Sequence, residues 1–155
     1  MRNLKLTSLS HIKLMVVEDD VAQLNVIKAI LAASGAIDIV AVTSATDAAR
    51  ILATQATKVD CIICDHRLGD ISGLELLQKI RSGQNPFIAR DVRFIMVTGY
   101  SDLSLVKGAA GLDVSGFVLK PVETAKLLNA VQIAMAQKQQ LKSPKVYAAM
   151  KLSDI

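Results

Sequence analysis

Five short apolar, β-branched runs punctuate this chain: HIKLMVV (11–17), AIDIVAV (36–42), VDCIIC (59–64), VRFIMV (92–97) and SGFVLK (115–120). A segment with helical spacing follows each of them. Such alternation points to an α/β architecture. Several runs lack the polar-apolar alternation of a half-exposed strand, so both faces of the sheet should be covered by helices and the strands should run parallel. The first helix is predicted over Asp20 to Ser34, where Val21, Leu24, Ile27, Lys28 and Leu31 give a mostly apolar stripe and Gly35 supplies the stop. Ser44 opens a second helix through Thr54, Ser72 a third through Ser82, Ser101 a fourth through about Ala110, and Pro121 a fifth through about Lys142. Between Arg81 and Val92 the sequence SGQNPFIAR reads as a surface loop.

At 155 residues the chain suits one compact domain of ordinary size. We divide it into an N-terminal extension (1–11), the α/β domain (12–142) and a C-terminal tail (143–155), where Ser143 and Pro144 have the chemistry to start a short helix. Apolar residues make up 52% of the chain and aromatics only 3%, so the core must be aliphatic. No apolar run reaches the roughly 18 residues of a membrane helix, and the first residues lack the apolar centre of a secretory signal, so the cytoplasm is expected and a membrane is not. The formal net charge of +4 resides in the two ends, because residues 14–136 carry 11 bases against 13 acids. A nucleic-acid footprint is therefore weak. Cys61 and Cys64 are spaced as C-x-x-C, but they sit in a β-type run with no second pair to complete a metal site. Residues three apart on a strand point to opposite faces, so buried free thiols are expected.

In an open parallel sheet, ligands bind beyond the carboxyl ends of the strands. Glu18, Asp19 and Asp20 follow the first run, and Asp65, His66 and Arg67 end the third. Thr98 and Gly99 end the fourth, Lys120 and Pro121 the fifth. Carboxylates gathered this closely repel one another, which a shared proton or a bound cation relieves. Hard oxygen donors favour Mg²⁺. A lysine and a hydroxyl beside such an ion suit the charge of a phosphoryl group in transfer, with a carboxylate as nucleophile.

The stretches LMVVEDD, CIICDHRLGDISGLELL, FIMVTGY and GFVLKPV resemble, in order and near spacing, the receiver domains of bacterial two-component response regulators. The resemblance spans about Lys13 to Ala136. It implies a flavodoxin-like, doubly wound fold: a five-stranded parallel sheet of order 2-1-3-4-5 with helices on both faces. It implies further that Asp65 is the phosphoacceptor, and that Glu18, Asp19, Asp65 and the backbone carbonyl of Arg67 hold Mg²⁺. Asp20 lies one position beyond the acidic pair and is expected to begin the first helix. Thr98 and Lys120 would bind phosphoryl oxygens, Phe117 would be the switch aromatic, and the Lys120–Pro121 bond is a candidate for the cis form. Arg67 and Tyr100 match positions flanking the path of attacking water, and so would set the lifetime of the phosphoryl group. Gly69 stands where the family often has proline, which loosens that loop.

What the resemblance implies about function is phosphorelay signalling. A sensor histidine kinase or histidine phosphotransfer protein donates the phosphoryl group, and the chain is no enzyme beyond catalysing its own phosphorylation and dephosphorylation. We expect a stand-alone, chemotaxis-type regulator without a DNA-binding domain, acting on an output protein by direct contact as a monomer or a phosphorylation-dependent dimer. A phosphatase of the haloacid dehalogenase type is the principal rival, but it needs a second acid two residues after the nucleophile, where this chain has Arg67.

Overall fold

The structure, a computed structural model, describes residues 8–54, 58–99 and 103–152. Five strands, β1 (Lys13–Val17), β2 (Asp38–Val42), β3 (Cys61–Asp65), β4 (Arg93–Thr98) and β5 (Gly116–Leu119), form one sheet of order β2-β1-β3-β4-β5. All four pairings are parallel. The expected sheet and strand order are thus observed. Met15, Val17, Ile62, Cys64, Phe94 and Met96 face one side with α2 (Ala45–Leu52), α3 (Gly73–Arg81) and α4 (Leu103–Gly111). Leu14, Val16, Cys61, Ile63, Ile95 and Val97 face the other, under α1 (Val21–Ala33) and α5 (Thr124–Ala136). The two cysteines fall in opposite layers, as their spacing on one strand requires. No described helix is long and apolar enough to cross a membrane.

Local chemistry sets the helix limits. Asp20 caps α1 by accepting from the Gln23 N–H at 3.1 Å. At the other end Gly35 takes φ +96°, and the N–H groups of Gly35 and Ala36 donate back to Ala32 and Leu31. That is the left-handed closure glycine makes without strain. Ser44 and Ser72 cap α2 and α3 in the same manner as Asp20. Ser101, the cap expected for α4, lies outside the described residues. The fifth helix is shorter at both ends than the predicted Pro121–Lys142. It starts after Glu123, and the Lys120–Pro121 bond before it is cis. It stops at Ala136 because the Arg93 side chain takes the carbonyls of Ala134 and Gln137, and Gln139 then bonds the Ser115 hydroxyl at 2.8 Å.

Beyond α5 the chain crosses the molecule and forms α6 (Pro144–Ala148) against α3. Tyr147 is completely buried in the same layer as α2, α3 and α4. Its hydroxyl donates to Asp113 Oδ2 at 2.6 Å and accepts from the Lys142 N–H at 2.9 Å, while Lys142 Nζ pairs with the same carboxylate at 2.9 Å. Burial pushes the Asp113 carboxyl up, but these contacts together outweigh it and hold the group below its ordinary value. Asp113 sits at φ +54° in the α4–β5 turn, a conformation that aspartate tolerates better than most side chains. Arg81, fully buried nearby, donates to the carbonyls of Arg90, Val92, Leu112 and Asp113. A buried cation costs stability unless its donors are satisfied, and here backbone carbonyls from two segments, one before β4 and one in the α4–β5 turn, satisfy them. At the opposite terminus, Leu9 in a short 3₁₀ turn (Leu9–His11) is buried beside α1 and donates its N–H to Ser34.

The segment after α5 should therefore carry stability. Tyr147→Ala is expected to cost about 3–5 kcal/mol, the usual range for emptying a buried aromatic site. Tyr147→Phe, which removes only the hydroxyl, should cost about 1–2 kcal/mol. Urea unfolding followed by far-UV circular dichroism measures both, and an unchanged midpoint for Tyr147→Ala would mean that the segment is not docked.

Candidate functional site

Parallel strands end together, and ladder-type hydrogen bonds continue one residue past those ends. The Glu18 N–H donates to Val42 O at 3.1 Å, His66 N–H to Val97 O at 3.0 Å, and Lys120 N–H to Thr98 O at 2.8 Å. These bonds place Glu18, Asp65, Thr98 and Lys120 along one edge of the sheet, on a backbone that cannot shift independently. Glu18 is 1% exposed and Asp65 5%, while Asp19 is open to solvent. One carboxylate oxygen from each of the three acids lies within 4.8 Å of the others. The acids inferred from sequence are thus brought together.

Lys120 Nζ reaches between the two buried acids, 3.1 Å from Glu18 Oε2 and 3.2 Å from Asp65 Oδ2. Burial pushes the Glu18 carboxyl above the usual range, although the Asp20 N–H, donating to Glu18 Oε1 at 3.1 Å, and Lys120 both pull it down. Burial also favours loss of the Lys120 proton, but the hydrogen bond it donates to Glu18 and the charge of Asp65 outweigh it, so the ammonium titrates above its ordinary value. One cation thus offsets two buried carboxylates, and the exposed Asp19 adds further negative charge at the mouth. A divalent ion of hard character fits this oxygen-only donor set.

Thr98 is buried at the last position of β4. Phe117, opposite Met96 on β5, is half-buried and packs against the layer that holds α4. Arg67 is exposed on the loop after β3. Tyr100 lies outside the described residues. Burial lowers the His66 pKa, and its Nδ1 is buried without a hydrogen-bond partner.

Sequence reasoning passed over Asp70. Its carboxylate accepts from the N–H groups of Ala45 at 3.2 Å and Thr46 at 2.8 Å, and from the Thr46 hydroxyl at 2.7 Å. Slight burial pushes its pKa up, but the bonds from Thr46, Ile71 and Ala45 prevail and hold it far below the ordinary value. The sequence carried one signal for it, an acid directly after the glycine that replaces the family's proline.

A family profile described as response regulator receiver domain matches residues 14–132. The chain is 29% identical over 133 residues to the transcriptional regulatory protein FixJ of Bradyrhizobium diazoefficiens, covering 85% of this chain and 60% of that protein. It is 32% identical over 123 residues to FixJ of Azorhizobium caulinodans, covering 79% of this chain and 54% of that protein. The chain thus spans little more than half the length of these curated relatives. A response regulator receiver domain protein of Clostridium thermocellum superposes with a TM-score of 0.70 at 26% identity, over 80% of this chain and 94% of that one. The receiver domain of a Syntrophus aciditrophicus signal transduction histidine kinase shares the fold with a TM-score of 0.69 at 22% identity, over 92% and 98% of the two chains.

Cys64 immediately precedes Asp65, and both thiols are enclosed by the sheet layers. Burial pushes the Cys61 thiol up to about 12 and Cys64 well above its ordinary value. Thiols so placed carry no thiolate near neutrality. At pH 8 neither should react with an aromatic disulfide reagent in the native protein, and both should react in 6 M guanidinium; fast native labelling would show that the sheet opens beside the acids.

Proposed function

Because this chain belongs to the response regulator receiver domain family, whose members take a phosphoryl group on an aspartate in phosphorelay signalling, we propose that Asp65 is the aspartate that receives it. The observation that carries the assignment is the Lys120 ammonium lying between Glu18 and Asp65 at the carboxyl edge of the sheet. An Asp65 oxygen attacks phosphorus as the bond to the donor breaks, and the donor keeps that bonding pair. The donor is a sensor histidine kinase or a histidine phosphotransfer protein, or a small acyl phosphate in vitro. Glu18, Asp19, Asp65 and the Arg67 carbonyl would hold Mg²⁺, which when bound neutralises charge on the phosphoryl oxygens. Lys120 moves its ion pair from the carboxylates to a phosphoryl oxygen, and the buried Thr98 hydroxyl takes another. Arg67 and Tyr100 flank the path of hydrolytic water and set the lifetime of the adduct.

We read the output as a protein contact. Phosphorylation adds about two negative charges at the edge next to Thr98 and Lys120. The response runs from Thr98 into α4 and from Lys120 back along β5 to Phe117. Exposed apolar side chains sit on these elements: Leu103 and Val106 on α4, Leu119 on β5, and Ile133 on α5. An output protein or a second phosphorylated copy would cover them. Aside from handling its own phosphoryl group, the chain is read as no enzyme, and its setting as the cytoplasm, where kinases of this class present their phosphohistidine.

A second reading of the output is favoured by one observation: the curated relatives are longer proteins named as transcriptional regulators. On that reading the receiver governs an attached output segment instead of a separate protein. The intact mass of the product isolated from its own cell separates the two. A mass near 16.6 kDa supports the stand-alone regulator, and a substantially larger one the attached segment.

Incubation with acetyl phosphate and Mg²⁺ should add one phosphoryl group to the wild type by intact mass and none to Asp65→Asn. Undiminished labelling of Asp65→Asn would reject the assignment. Lys120→Ala should bind Mg²⁺ as well as the wild type or better, because the competing cation is gone. The same variant should lose the phosphorylation-dependent amide shifts of α4, β5 and α5; a full wild-type response in it would contradict the role given to Lys120.

A further inference from the structure

Resting on that reading of the site, we propose that Asp70 is a positioning residue for it: its carboxylate tethers the β3–α3 loop to the first turn of α2 and so fixes the segment that carries the Arg67 carbonyl. The loop is pinned firmly at its base. The Gly73 N–H donates to His66 O at 2.8 Å, and a Cβ at Gly73 would lie 2.5 Å from Asp65 O, so the chain closes there as only glycine allows. Its tip has weaker anchors, the half-buried Leu68 and Ile71. Gly69 adds freedom where order is needed. Its φ is not in the left-handed region, and an added Cβ would meet nothing within 4 Å. Neither conformation nor space demands glycine at this position, so its only local effect is to loosen the backbone two residues after Arg67.

Asp70 is the next residue, and it restores what Gly69 removes. A helix begins with amide donors that have no partner within the helix. In α2 the Ser44 hydroxyl takes the amide of Asp47 and Asp70 takes those of Ala45 and Thr46, so the two side chains share the turn. The Thr46 hydroxyl adds a third bond to Asp70. These are charge-assisted bonds in a fork, which hold direction as well as distance. The tether links a loop at the site to a helix that packs on the sheet, and no reacting atom touches it.

Ser44 gives the control. Ser44→Ala removes one capping bond from the same helix end without touching the loop, whereas Asp70→Ala removes the tether. Binding is read by titrating Mg²⁺ alone into each full-length variant and following amide shifts of residues 18–20 and 65–68, with thermal melts to compare stability. Asp70→Ala should bind Mg²⁺ about tenfold more weakly, the scale of loss when a group that orients a metal ligand is removed. Ser44→Ala should keep wild-type affinity, and Asp70→Asn, which retains an acceptor oxygen, should fall between Asp70→Ala and the wild type. Unchanged affinity in Asp70→Ala, an equal loss in Ser44→Ala, or no advantage of asparagine over alanine would overturn the proposal. A wild type that binds no Mg²⁺ would instead overturn the reading of the site itself.

Discussion

Two carboxylates buried side by side are unstable unless something positive lies between them, and the carboxyl edge of this sheet is organised around that requirement. Glu18 and Asp65 are withdrawn from water and share the Lys120 ammonium. Charges this poorly solvated interact far more strongly than charges on a surface. Any event that draws Lys120 away, or brings a second cation in, must therefore be felt by both acids and by the backbone that carries them. That coupling is what a phosphoryl switch needs.

The sheet supplies the rigidity against which the switch works. Both faces are covered by aliphatic layers, and the strand ends are joined by hydrogen bonds that extend the ladder into the site loops. A phosphoryl-driven change would then act on the outer face of α4, β5 and α5. The far end of α4 is anchored differently. Arg81 holds the carbonyls of Leu112 and Asp113, and Asp113 in turn holds Tyr147 and Lys142. A displacement at the start of α4 would thus work against a fixed pivot at its end.

Much of this was legible in the sequence because it depends on local pattern. Strands covered on both faces read as unbroken apolar runs, and VDCIIC and VRFIMV gave β3 and β4 to within a residue or two. Caps are local chemistry, so Asp20, Ser44 and Ser72 marked three helix starts correctly. The acids, Thr98 and Lys120 were found because parallel strands bring their carboxyl ends together whatever the loops do. Contacts between distant segments were not legible. Arg81 has the look of a solvated charge in a last helical turn, yet it is buried among carbonyls up to 32 residues away. Tyr147 reads as tail, and α5 seemed to run on to Lys142, because nothing near either position announces Asp113 or Arg93. Asp70 was hidden for the same reason: its partners are 24 and 25 residues earlier, at the start of another helix.

The central claim is that one carboxylate of this cluster, Asp65, takes the phosphoryl group. Borohydride reduces an aspartyl phosphate to homoserine and leaves free carboxylates untouched, so it marks the acceptor covalently. After phosphorylation, reduction and peptide sequencing by mass spectrometry, homoserine should appear at position 65 alone. Homoserine at position 19 or 20, or a stable phosphoester on a serine or threonine with position 65 unchanged, would contradict the account.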